Sequence, residues 1–265
     1  MTTVAPKILA EIADWPDRLE AACRGTRFDP SLVRVLAECR STQDVARFAG
    51  EGAVVTTGRQ SSGRGRLGRA WIDDQGAGIA MSLAVPMQNP ATLSLAAGIA
   101  ALEVIRAAVP PAVRPMLGMK FPNDVVEWAS GAKIAGILVE ASDGVAVIGI
   151  GINLHRRPWP PGIHAMAVAE LAPDTPLRRI DLLEALPSRI SEALDLQPTE
   201  IADRFSAAHA PTGCQVEVES GDRRITGTLE SLLPLEHLEI VDSDGVRCRM
   251  PVESSRILSW QPSSR

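Results

Sequence analysis

Hydrophobic positions along the chain change period several times, and each change marks an element. In residues 1–29, Ile8, Leu9, Ile12, Trp15, Leu19 and Ala22 recur at helical spacing with an interruption at Pro16, which predicts one short, broken helix. Leu32 to Leu36 reads as a strand, and Ser41-Thr42 then caps a helix over 42–49. Ala53 to Thr57 is a second strand, Gly58 to Trp71 a glycine-rich loop, and Ile79 to Val85 a third strand. The strongest helical signal runs from Ala91 to Ala108, apolar at Leu95, Gly98, Ile99, Leu102 and Ile105, with Glu103 and Arg106 toward water and Pro110-Pro111 closing it. Lys133 to Glu140 and Val145 to Ile152 are strands joined by a Ser142-Asp143-Gly144 turn, a hairpin signal. A proline-rich connector fills 155–176, and helices follow at about 179–194 and 198–208.

After Pro211 the texture changes. Gln215 to Val218, Ile225 to Leu229, Leu238 to Val241 and Val246 to Met250 are short alternating segments punctuated by Gly221-Asp222 and Asp244-Gly245. That pattern predicts a small antiparallel barrel. The expected division is a short extension over 1–29, an α/β catalytic domain over 30–210 and the barrel over 211–265.

Composition narrows the class. At 265 residues, one large or two unequal domains are expected, and 45% apolar with 22% charged residues fits a globular chain. Met1 to Pro6 has no basic run before an apolar core, and no window holds 18 uninterrupted apolar residues. The expectation is therefore a cytoplasmic protein with neither leader nor membrane span. Cys23, Cys39, Cys214 and Cys248 lie scattered, without metal-ligand spacing. Net charge is -5, so nucleic-acid binding would need locally concentrated positive charge. Of the 27 basic residues only Lys7, Lys120 and Lys133 are lysine. Lysine is irreplaceable where a compact, rotatable ammonium must follow a reacting group, which makes Lys120 and Lys133 candidates, although a mutational bias toward arginine leaves a few lysines at random just as well.

Three segments carry candidate chemistry. The loop Gly58 to Trp71 holds Arg59, Arg64, Arg66 and Arg69 among glycines, with no acid. Exposed amides and guanidinium forks suit phosphate or carboxylate, while a nucleic-acid patch or a merely solvated loop fits the same composition. It lacks the Lys-Ser/Thr pair of a P-loop. Lys120-Phe121-Pro122-Asn123-Asp124 is directed by Pro122 and stands where a strand begins, though Asn123-Asp124 alone is also a turn signal. In Gly149-Ile150-Gly151-Ile152-Asn153 the glycines admit a ligand or neighbouring backbone, and the following prolines rule out a dinucleotide fingerprint. No histidine lies in these segments and no GxSxG or carboxylate pair stands out, which argues against a protein nucleophile.

Taken together these residues resemble one family, the biotin protein ligases. The resemblance comprises Ser41-Thr42, Gln60, Gly63-Arg64-Gly65-Arg66, Gly68-Arg69, Trp71, Ser82, Lys120 to Asp124, Lys133 to Glu140 and Gly149 to Asn153, in order, and covers about residues 35–155. Phe121, Gln43 and Leu67 depart from the family's usual Trp, Asn and basic residue. The resemblance implies a class II synthetase-like catalytic domain with a mixed sheet and flanking helices, followed by an SH3-like β-barrel. It also implies activation of biotin with ATP and Mg2+ to biotinyl-5′-AMP, then transfer to a lysine of a carboxylase's biotin carboxyl carrier domain.

By that resemblance Ser41, Thr42, Gln43, Gln60 and Gly136 line the biotin pocket, and Arg64, Gly65 and Arg66 hold the carboxylate and α-phosphate. Lys133 bridges acyl oxygen and phosphate. Trp71 covers the adenine, Arg69, Asn123 and Asn153 lie near the nucleotide, and Lys120 and Asp124 serve the electrostatics of MgATP and the acceptor amine. No protein metal ligand is implied, since magnesium keeps its waters and rides on phosphates. A monomer or homodimer is expected, with no membrane partner. The rival enzyme is a lipoate protein ligase, and the rival binding module a nucleic-acid binder using the arginine loop. Absence of tyrosine and only four phenylalanines leave that binder few stacking platforms. Residues 1–29 are shorter than a DNA-binding domain, so no repressor role is expected.

Overall fold

The computed structural model describes residues 6–71 and 76–261; Met1 to Ala5, most of the stretch read above for a leader, lie outside them. The chain forms α1 (Pro6–Glu11), α2 (Trp15–Cys23), β1 (Val33–Leu36), α3 (Thr42–Ala49), β2 (Val54–Thr57), β3 (Gly63–Arg64), β4 (Ala70–Trp71), β5 (Gly78–Pro86), α4 (Pro90–Ala108), β6 (Leu117–Lys120), β7 (Asp124–Glu127), β8 (Lys133–Ser142) and β9 (Val145–Asn153). Then come α5 (Val168–Leu171), α6 (Arg179–Leu194), α7 (Pro198–Ala207), β10 (Gln215–Ser220), β11 (Arg223–Leu233), β12 (His237–Val241), β13 (Arg247–Pro251) and β14 (Ser255–Gln261).

Seven strands form one mixed sheet in the order β1-β2-β5-β9-β8-β7-β6, with β1 and β2 parallel and all other pairs antiparallel. Side chains alternate across it. Val54, Leu83, Val85 and Ile148 face the main core under α4 and α6, whereas Val55, Ala84 and Val147 pack under α3. Beyond α3 the same face carries the small residues Ala80, Ser82, Gly136, Gly149 and Gly151, which line a cleft. That floor is where a site can form.

Helix α4 is long and apolar enough to cross a membrane by length and composition, but 61% of that stretch is buried inside the fold. Counting uninterrupted apolar residues passes over it because Thr92, Ser94 and Glu103 break the run. It is apolar nearly all round because α6 and α7 pack on one side and the sheet on the other. Arg106, read as facing water, is half-buried and donates to the Leu117 carbonyl at 2.7 Å.

Other readings need correction. The broken N-terminal helix is two helices, and Pro16 stands in the first turn of α2, where a missing N–H costs nothing. Leu9 faces solvent, while Ile8, Ile12, Trp15 and Leu19 are buried. Lys120 ends a strand rather than preceding one, because β6 and β7 form a hairpin turning through Phe121 to Asn123, with a cis Phe121–Pro122 bond. The connector after residue 155 holds the short α5. The β8–β9 hairpin closes through Asp143 (φ 53°) and Gly144 (φ 82°), both left-handed, as a two-residue turn of this kind requires.

The C-terminal segment is a five-stranded antiparallel sheet, β13-β12-β11-β10-β14, of SH3-like kind. Its fifth strand, β14, escapes the sequence pattern because a register shift opposite Glu217/Val218 breaks the alternation there.

Candidate active site

The cleft is open to solvent, has a cavity volume of about 50 Å3, and lies over the sheet floor between the start of α3 and the β3–β4 ribbon. Each floor glycine is occupied by a side chain that a Cβ would displace. A Cβ on Gly149 would lie 2.6 Å from Gln43 Nε2, on Gly151 2.5 Å from the Trp71 ring, and on Gly136 2.6 Å from Lys133 Nζ. The Gly-Ile-Gly-Ile-Asn motif therefore admits the protein's own polar and aromatic side chains onto the sheet.

One wall is built by residues at the start of α3. Ser41 holds the N-cap position without capping the helix. Gln60 does that work instead, its Oε1 accepting from Thr42 N (2.8 Å) and Thr42 Oγ1 (3.0 Å), and Thr42 Oγ1 also shares a 2.8 Å hydrogen bond with Ser82 Oγ. The capping role expected of Ser41 thus fails because a side chain brought in from the next loop outcompetes it. Gln43 Nε2 donates to the Leu138 carbonyl at 3.0 Å. Gln43 Oε1 and Ser41 Oγ are buried with no partner among the described residues. A buried polar atom left unpaired costs about 1–3 kcal/mol, so two of them in a cleft wall leave bonds for a ligand to make.

Three cations, Lys133, Arg66 and Arg64, line the same cleft. Lys133 Nζ is 2.6 Å from Asp124 Oδ1 and 6.0 Å from the Trp71 ring centroid. Arg66 donates to Asn123 Oδ1 at 3.2 Å, and Asn123 Nδ2 donates to the Ile137 carbonyl at 2.6 Å. Arg64 forks onto Asp44 (2.9 and 2.6 Å) and reaches Glu140 at 3.1 Å, while Arg47 also pairs with Glu140 at 3.3 Å. The Arg64 hydrogen bonds hold the Asp44 carboxyl below its usual range. Gly65 N donates to the Arg69 carbonyl at 2.7 Å, closing the ribbon that carries Arg64, Arg66 and Trp71.

Ser41, Thr42, Gln43, Gln60, Arg64, Gly65, Arg66, Trp71, Asn123, Lys133 and Gly136 all line the cleft, and Asp124 meets it through Lys133. Arg69, Lys120 and Asn153 do not line it. Arg69 is exposed on the ribbon, and Asn153 Nδ2 donates to the Lys133 carbonyl at 3.0 Å, steadying the strand from behind. Sequence reasoning assigned nothing to Asp44 or Glu140. Two signals for them were present: Asp44 lies two residues past Thr42, and Glu140 shares the alternation of Gly136 and Leu138.

His209 was missed as well. Its backbone segment joins the edge of β6, with Met119 N donating to Ala208 O and Ala210 N to Met119 O, both at 2.8 Å. The ring is buried, bonded through Nδ1 to Thr212 Oγ1 at 2.9 Å, and burial, aided by the Lys120 charge, pushes its pKa down to about 3. The unfolded chain binds a proton there below about 6.5 and the folded chain only near 3, so stability falls as pH drops through that window. Between pH 7 and 5 the loss from this group is about 2 kcal/mol. Urea midpoints of the wild type should show that slope, and His209→Gln should flatten it; equal slopes would exclude His209 as the source.

Residues 39–155 match the family described as the biotin/lipoate A/B protein ligase family. The chain is 36% identical over 195 residues to the biotin–[acetyl-CoA-carboxylase] ligase of Mycobacterium tuberculosis, covering 70% of this chain and 69% of that protein. It is 36% identical over 119 residues to the bifunctional ligase/repressor BirA of Bacillus subtilis, but that match spans 42% of this chain and only 35% of the relative. Among solved structures, the biotin protein ligase of Aquifex aeolicus in complex with biotin and ATP superimposes with a TM-score of 0.71 at 27% identity, covering 85% of this chain and 97% of that one.

Proposed function

Since the chain belongs to the biotin protein ligase family and is a ligase, we propose that it converts biotin and ATP to biotinyl-5′-AMP and pyrophosphate, then passes the biotinyl group to a carrier-domain lysine. One observation carries this reading: a single cleft brings two buried oxygens with no partner among the described residues together with Lys133, Arg66 and Arg64. A ureido ring has two N–H donors and one carbonyl acceptor. Gln43 Oε1 accepts from an N–H, and Ser41 Oγ bonds either partner.

The chemistry then follows from charge. The biotin carboxylate must approach the α-phosphorus of an anionic nucleotide, so both need neutralising and aligning. Alignment alone supplies roughly 7–11 kcal/mol of barrier reduction, and fixed cations add to it. Lys133 serves carboxylate and phosphate oxygens as the bond forms, because an ammonium tolerates changing geometry. Arg66 holds the α-phosphate, and Arg64 exchanges its Asp44 and Glu140 partners for the ligand's anion. Trp71 covers the adenine. Magnesium arrives on the phosphates of ATP. In transfer, the acceptor amine attacks the acyl carbon and AMP leaves, so no protein nucleophile is needed.

An acyl-adenylate is a mixed anhydride that water destroys, so the ribbon closes over it. Amides of residues 60–71 should exchange fast without ligand and slowly with adenylate; equal protection in both states would count against closure. The acceptor in this reading is a carboxylase carrier domain, and the setting cytoplasmic. Incubation with ATP, magnesium and labelled biotin should yield biotinyl-adenylate and a labelled carrier domain. Lipoate, offered in parallel, should give neither product; a preference for lipoate would replace biotin in this reading.

A further inference from the structure

Lys120 presents an unusual situation. Its side chain is half-buried and, among the described residues, its ammonium makes no hydrogen bond or salt bridge. What it faces is the indole of Trp260, 5.1 Å from the ring centroid. Trp260 belongs to β14, the last strand of the C-terminal sheet, whereas Lys120 ends β6 of the catalytic sheet. A partly desolvated ammonium without protein hydrogen bonds loses hydration, and the negative face of an aromatic ring within about 6 Å offsets part of that loss.

The rest of the Trp260 environment is shaped for its ring. Gly131, between β7 and β8, has φ 74°, and a Cβ there would sit 2.7 Å from the indole. The indole N–H is buried without a partner among the described residues. Buried tryptophans usually bond that N–H; here the ring is placed by its packing at Gly131 and its contact with Lys120.

We infer that Trp260 is a positioning residue for Lys120: the C-terminal sheet reaches into the catalytic domain and holds this lysine's charge in place. The inference rests on the reading, implied by the family resemblance, that Lys120 serves the electrostatics of MgATP and the acceptor amine from beside the cleft rather than in its lining. The charged groups acting on Lys120 are Asp124, which favours its ammonium, and Lys133, Arg69 and Arg256, which oppose it; buried His209 stands behind it and is neutral at physiological pH. Burial already biases Lys120 toward the neutral amine. The ring face opposes that bias, so losing the face while keeping the bulk lowers the pH at which the charge is lost.

The experiment follows pyrophosphate exchange against pH for Trp260→Phe and Trp260→Leu, two replacements of nearly equal size that differ in having a ring face. Trp260→Phe should stay within about threefold of the wild type, and Trp260→Leu should lose about tenfold. The alkaline limb for leucine should fall about one pH unit below that for phenylalanine, with the KM for biotin unchanged. Gly131→Ala, which displaces the ring without touching Lys120, should move the limb the same way and covers the case in which Trp260→Leu fails to fold. Coincident profiles for all three, with Lys120→Gln strongly impaired, would overturn the inference and leave the function standing. Wild-type exchange in Lys120→Gln would instead remove the role assigned to Lys120.

Discussion

Replacing Lys133 by arginine should abolish most pyrophosphate exchange, by about 10²–10³-fold, although the charge is kept. The ammonium sits where a Cβ on Gly136 would be 2.6 Å away, and is 2.6 Å from Asp124 Oδ1. That slot was cleared for a single nitrogen. A guanidinium is planar, wider and fixed in its fork, so it cannot both keep the Asp124 bond and turn with the reacting oxygens. Calorimetry should still show biotin binding, because Ser41, Thr42, Gln43 and Gln60 lie on the other wall. Exchange close to the wild-type rate in Lys133→Arg would show that a generic positive charge suffices there.

Arg179→Met should lower unfolding stability by about 3 kcal/mol, since charged hydrogen bonds are worth about 1.5–3 kcal/mol each and their buried partners are left bare. In a chain of this size that is a fall in Tm of roughly 6–12 °C. Arg179 is 2% exposed, at the start of α6. It donates to the carbonyls of Thr57 (2.9 Å) and Gly58 (3.2 Å), pairs with Glu11 at 3.6 Å, and stacks 4.9 Å from the Trp15 ring. It therefore ties α1 and α2 to the root of the glycine-rich segment. Gly58 has no room for a side chain either, because a Cβ there would meet Ile8 Cγ2 at 2.4 Å and the Ala37 carbonyl at 2.8 Å. Differential scanning calorimetry checks the prediction; an unchanged Tm would mean that other residues hold the N-terminal helices.

These two residues differ in how legible they were. Lys133 stands out in a chain that otherwise uses arginine, inside a strand-like segment, and its candidacy came straight from the sequence. Arg179 is one arginine among many at a predicted helix start, and nothing local distinguishes it from a solvated charge. The same contrast runs through the cleft. Thr42 and Gln60 were identified as pocket residues, but their mutual hydrogen bond joins positions 18 residues apart, and only folding makes it. Lys120 was read beside the nucleotide, yet its ammonium lies on a ring from a strand 140 residues away.

Periodicity and turn chemistry were enough to predict an α/β body and a C-terminal run of short strands, while the family resemblance of the glycine, arginine and lysine motifs implied which residues gather at one cleft, of which Arg69, Lys120 and Asn153 do not line it. All of these are written in spacings of a few residues, where backbone geometry alone relates neighbours. Which guanidinium is paired, which oxygen is left without a partner, and which ring covers which ammonium were decided by tertiary packing. Those contacts join distant segments at distances of a few ångströms, and a one-dimensional pattern carries no record of the directions in which the side chains finally point.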